Sequence, residues 1–223
     1  MDEREDSDLD ARADQRRAHS RRHITGLLLG ETGVVWRSPR GDWNAQPAPA
    51  PRGVLSGSFN PLHYGHVELR LIAQSILQGA VAYELPLVNA DKPPVDLEEA
   101  VIRVEQKFDA PLAVTTAPVF LQKAQLMPGV TFVVGADTAA RIIDPRFYPD
   151  HPRGAATALS ELRNLGCRFL VAARQHAGSL LTAENIGVPA ESADLFEPIP
   201  EDAFRVDVSS SRFREQSRNP PPE

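Results

Sequence analysis

Residues 54–66 read Val54-Leu55-Ser56-Gly57-Ser58-Phe59-Asn60-Pro61-Leu62-His63-Tyr64-Gly65-His66, and the succession of residue types along this stretch decides the fold. A short apolar run passes into Ser56-Gly57, the pattern of a buried strand that ends in a turn. Gly57 permits a tight turn and close backbone approach. Asn60-Pro61 is a second turn signal. From Gly65 onward, Val67, Leu71, Ile72 and Ile76 recur at helical spacing, which predicts a helix over 65–77. The unit is therefore strand, turn, helix. His63 and His66, three residues apart at the opening of that helix, share one face. The free N–H groups and partial positive charge of a helix start lie beside them, a setting suited to an anion.

Downstream the pattern repeats. Strands are predicted over 80–87, 112–115, 130–134 and 168–173, and helices over 97–108, 120–126, 155–165 and 208–216. In the second helix Leu97, Val101, Val104 and Phe108 share a face. Near-continuous apolar strands alternating with helices predict an α/β fold, a doubly wound parallel sheet with helices on both faces. In such sheets ligands bind beyond the carboxyl ends of the strands, where residues 57–66 lie.

Upstream the chain reads differently. Residues 1–22 mix charges with almost nothing to bury and are expected to be disordered. Apolar runs at 24–29 and 34–36, split by Glu31-Thr32-Gly33, predict a hairpin. The Pro-Ala stretch 46–51 reads as a stiff linker. The expected organisation is a disordered terminus 1–22, a hairpin and linker 23–52, a main domain 53–216 and a disordered tail 217–223. The 223 residues suffice for one sizeable core. A net charge of −6 implies no broad basic surface, which argues against nucleic acid as a partner. The single cysteine, Cys167, excludes an internal disulfide. No apolar run of about 18 residues predicts a membrane span, and the charged N-terminus lacks a signal-peptide core. A cytoplasmic location is the default expectation, and self-association is left open.

Two histidines at this spacing also suit half a metal site or a structural turn cap. A metal site lacks a neighbouring Cys or third His, and the strand-turn-helix context favours anion binding over capping. The stretch Gly57-Ser58-Phe59-Asn60-Pro61-Leu62-His63-Tyr64-Gly65-His66 resembles the signature of the nucleotidyltransferase superfamily, in the form found in nicotinamide and nicotinate mononucleotide adenylyltransferases. Val208-Ser209-Ser210-Ser211-Arg212-Phe213-Arg214 is similar to that superfamily's second motif, with Ser211 keeping the hydroxyl of the usual Thr. Gly135-Ala136-Asp137, the strand 167–174 ending in Arg174, and Lys92-Pro93-Pro94 resemble further family features. The family's Trp after the Gly-Ala-Asp motif is missing here; Phe147 or Tyr148 is the candidate replacement. An alternative role for Asp137 is a helix cap.

The resemblance implies a Rossmann-like fold and transfer of AMP from ATP to a phosphorylated acceptor, nicotinamide or nicotinate mononucleotide, with release of pyrophosphate. It implies His63, His66 and Arg214 as catalytic residues. It implies nucleotide contacts from Gly57, Ser58, Phe59, Asn60, Gly65, Gly135, Asp137, Ser209, Ser210 and Ser211, and phosphate or acceptor contacts from Lys92 and Arg174. Mg²⁺ is expected to arrive with ATP, keeping waters and needing no dedicated carboxylate cage. Alternatives are a cytidylyltransferase, a pantetheine-phosphate adenylyltransferase-like enzyme, or a non-catalytic nucleotide-binding protein. A class I aminoacyl-tRNA synthetase shares a His-x-Gly-His element, but the chain has no Lys-Met-Ser-Lys-Ser loop and is too short for a tRNA-binding apparatus.

Overall fold

A computed structural model describes residues 3–44, 47, 49–91, 93–148, 154–176, 179–200 and 202–204. In chain order its elements begin with α1 (Glu3–Leu28), β1 (Val34–Arg37), β2 (Trp43–Asn44), β3 (Gly53–Ser56), α2 (Tyr64–Leu77) and β4 (Val81–Pro86). Then follow α3 (Leu97–Val104), β5 (Leu112–Thr115), α4 (Phe120–Leu126), β6 (Thr131–Gly135), α5 (Ala136–Ile142), α6 (Ala155–Asn164) and β7 (Arg168–Ala172). A hairpin of β8 (Arg174–His176) and β9 (Ser179–Leu181) precedes β10 (Phe196–Pro198). Among the described residues, no helix is long and apolar enough to cross a membrane.

The main sheet runs β10-β7-β6-β3-β4-β5-β1-β2. The six strands from β10 to β5 are mutually parallel. Chain order moves outward from β3 through β4 to β5, then returns to β6 on the other side of β3 and continues to β7 and β10. This is the doubly wound order of a Rossmann-like sheet, and it reverses between β3 and β6. The alternation of strand side chains divides the core into two layers. Val54, Phe132, Val134, Phe169 and Val171 pack with Leu121 and Ala124 of α4, Ala139 and Ile142 of α5, and Leu159 and Leu162 of α6. Leu55, Tyr83, Leu85, Val133 and Leu170 pack with Leu69 and Ala73 of α2, Val101 and Val104 of α3, and Ile24 and Leu27 of α1. Full burial of such side chains stabilises by about 1.5–3 kcal/mol each, and both faces of the sheet are covered, as the apolar strands require.

The N-terminal region departs from the expectation. Residues 3–28, read as a disordered stretch followed by a strand, form one helix. The apolar run at 24–29 is largely the last turns of α1, not a strand. Ile24 and Leu27 are fully buried there, and Arg21 bonds Glu98 on α3, one contact at 2.6 Å. Ser20 donates to Glu105 just beyond α3. The helix stops at Gly30, which adopts φ +76°. The hairpin exists but lies one segment later, between β1 and β2. Nor is it set apart by the Pro-Ala stretch: β1 pairs antiparallel with β5, Val34 opposite Thr115 and Arg37 opposite Leu112. Trp36 sits in the core. The boundary expected at residue 53 is therefore not a structural boundary, because the edge of β5 needs a partner and β1 supplies it. The C-terminal helix expected over 208–216 lies outside the described residues.

Candidate functional site

β3 delivers the chain to the carboxyl end of the sheet at Ser56, and α2 starts at Tyr64 after His63, an extended N-cap residue. The intervening loop is held by α3 and the residues after it. Gln106 Nε2 donates to the Phe59 carbonyl at 2.7 Å, and the Leu62 N–H donates to Gln106 Oε1 at 2.7 Å. Asn60 Nδ2 donates to Glu99 at 3.1 Å, and Arg103 reaches both Glu99, at 2.8 Å, and the Ser58 carbonyl, at 3.5 Å. Phe59 adopts φ +42°, and its ring is fully buried, edge-on to Tyr83, Phe108 and His66. A Cβ at residue 57 would meet that ring at 2.7 Å, which explains Gly57. Phe59 and Asn60, expected at the nucleotide, thus direct their side chains into the core and toward α3. Gly65 is buried in the first turn of α2.

His63 and His66 stack with ring centroids 3.8 Å apart. His66 Nδ1 accepts the His63 backbone N–H at 3.2 Å. With Nδ1 accepting, the neutral imidazole carries its proton on Nε2 and presents a donor there. Burial, then the neighbouring His63 and Arg174, push the His66 pKa down to about 3. Burial, then Arg174, lower that of His63. Both imidazoles are therefore neutral at pH 7.

Across the reversal point, β6 ends at Gly135 and β7 leads to Arg174. Arg174 Nε lies 3.6 Å from Asp137 Oδ1, and a Cβ at residue 135 would meet that same oxygen at 2.7 Å. The Arg174 charge is felt at both histidines. Asp137 does not cap α5: Gly135 holds the N-cap position, without a side-chain bond. The structure thus brings together His63, His66, Gly135, Asp137 and Arg174 at the carboxyl ends of β3, β6 and β7. Lys92, Ser209, Ser210, Ser211 and Arg214 lie outside the described residues. Tyr148, a candidate replacement for the absent Trp, is buried and donates its hydroxyl to the Ile142 carbonyl at 2.8 Å, with burial raising its pKa to about 12. Phe147 packs against the same core. The Tyr148 ring is thus committed to the core, while Phe147 is only partly buried.

Two sets of residues escaped sequence reasoning. One is the grip of Glu99, Arg103 and Gln106 on the loop; its signal was weak, since Gln106 merely follows an amphipathic helix. The other lies just beneath the site. Glu84, fully buried in β4, accepts from Ser56 at 2.7 Å, Thr115 at 2.6 Å and Lys123 at 2.8 Å. A carboxylate inside the apolar run 81–87 was the available clue, because a buried charge must be paired. Glu84 ties the ends of β3, β4 and β5 to α4 and fixes the residue from which the loop departs. Among the described residues, no cluster of three His, Cys, Asp or Glu is arranged to hold a metal ion. No family model matches the chain, and no curated protein matches it.

Proposed function

We propose that the protein is a nucleotidyltransferase that joins AMP from ATP to a phosphorylated acceptor, a nicotinamide or nicotinate mononucleotide, and releases pyrophosphate. The observation that carries this reading is the convergence of His63, His66 and Arg174 where the strand order reverses between β3 and β6. Donors and a fixed cation at that crevice suit a triphosphate. The acceptor phosphate oxygen bonds to the α-phosphorus, and the P–O bond to the β-phosphate breaks. The attacking oxygen is already anionic, so no strong base is required. The task is to bring two anions together and to stabilise charge as it moves to the leaving group. His66 donates from Nε2 to a phosphoryl oxygen, and His63 lies stacked beside it. Arg174, now paired loosely with Asp137, turns its guanidinium fork to phosphate. Mg²⁺ bound to the nucleotide would offset phosphate charge without needing a carboxylate cage from the protein.

Pyrophosphate release tests this, with ATP or CTP supplied against nicotinamide mononucleotide, nicotinate mononucleotide, phosphopantetheine and sugar phosphates. The expected result is ATP-dependent release with a mononucleotide acceptor, and a kcat in His66→Ala lower by roughly two orders of magnitude or more. ATP binding without release for any acceptor identifies a nucleotide-binding protein instead. A folded His66→Ala protein with normal turnover removes the histidine from the mechanism.

A further inference from the structure

We propose that Gln106 is a positioning residue, whose amide fork fixes the orientation of the His66 imidazole by gripping the loop 59–62 at both ends. The bonds at the two ends are of equal length, 2.7 Å, and come from the two halves of one side chain. Its nitrogen also donates to the Arg103 carbonyl at 3.0 Å, which anchors the fork to the end of α3. The two gripped residues are those that place His66. Phe59 lies edge-on to the His66 ring at 5.1 Å between centroids. Leu62 precedes His63, whose N–H is bonded to His66 Nδ1.

Phe59 also holds a left-handed backbone that a bulky residue rarely adopts. Such a conformation persists only where its surroundings enforce it. The bond to the Phe59 carbonyl is part of that enforcement. An amide is specifically required, because one end of the loop presents an acceptor and the other a donor. A carboxylate can take the Leu62 N–H but sets charge against the Phe59 carbonyl. A neutral carboxylic acid satisfies both. The charged and titratable groups bearing on this loop and on His66 are Glu99 and Arg103 from α3, His63 at the start of α2, and Arg174 from β8.

The kinetic part of the test rests on nucleotidyl transfer as the activity; the spectroscopic part does not. Imidazole ¹H–¹⁵N spectra of the full chain report the tautomer and titration of His66. In the unaltered protein His66 is expected as the Nε2–H tautomer, untitrated between pH 5 and 8. Gln106→Ala should mix the tautomers and bring the titration toward the ordinary histidine range. Gln106→Glu should show the same disturbance at pH 8 and move back toward the native spectrum near pH 4, where an ordinary glutamic acid, with a pKa of about 4.3, is mostly protonated and can donate. In turnover assays kcat should fall by roughly ten- to a hundredfold, with KM for ATP little changed. A native His66 spectrum at pH 8 in folded Gln106→Ala or Gln106→Glu protein overturns the proposal, leaving Gln106 a support of the fold alone. Should Gln106→Ala not fold, Gln106→Glu at the two pH values decides. If the unaltered protein releases no pyrophosphate, the activity is refuted, and the spectra still judge Gln106.

Discussion

Arg174 stands at the crossing of two demands. Its Nε faces the Asp137 carboxylate at 3.6 Å, while its charge disfavours protonation of His63 and His66. The loose contact with Asp137 leaves the guanidinium available to a competing anion, since a half-exposed pair at this distance is worth little. Arg174→Ala removes a cation from beside two imidazoles, so the protonated form of each becomes easier to reach. The His63 titration midpoint should therefore rise, by more than in Arg174→Lys. That of His66 should rise too but stay below the ordinary histidine value, because burial is the larger cause of its depression. NMR titration of the two rings measures this, and unchanged midpoints in Arg174→Ala would detach the residue from the site.

At the level of elements, α1 and β1 are part of the domain. Among the described side chains, the docking contacts on α1 include Ser20, Arg21, Ile24 and Leu27, all retained when residues 1–18 are removed, so that removal should change the melting temperature little. Removal of residues 1–52 is different: it strips β1 from β5 and uncovers apolar surface on the α3 side. That protein should aggregate or melt well below the intact chain, as thermal unfolding and light scattering will show. A stable, monomeric truncation would contradict the pairing. The contrast marks what was legible in the sequence. The parallel strands were readable because burial on both faces leaves uninterrupted apolar runs, as at 112–115 and 131–134. The His63–His66 pair was readable because chain proximity puts both rings at one helix start. The strand run at 24–29 was misread because a short apolar run fits a buried strand and a buried helix turn alike. The brief strands β8, β9 and β10 carry too few buried residues to leave a pattern. Gln106, Glu84 and Lys123 were missed because the partners they hold at the site lie 28–47 residues away in the chain, and polar contacts at that separation leave no periodic mark.

For the molecule as a whole, the buried histidines set a direction for stability against pH. Folding depresses the pKa of His66 from 6.5 to about 3 and lowers that of His63. Between those values the unfolded chain binds more protons than the native one, so stability falls as pH drops below about 6.5 and is fully present above it. Urea unfolding at pH 7.5 and 5.5 should give a lower midpoint at the acid end. His66→Gln should flatten the difference; an equal slope in that variant would assign the effect to other groups. The antiparallel closure of β5 by β1 carries a different consequence, one of timing. A ribosome makes β1 first, yet the residue facing Val34 is Thr115, about eighty positions later. At ordinary rates of synthesis that is a wait of roughly 4 to 16 seconds. For that interval the edge of β1 that will face β5 has no native partner, and the nascent chain must be kept from finding a wrong one.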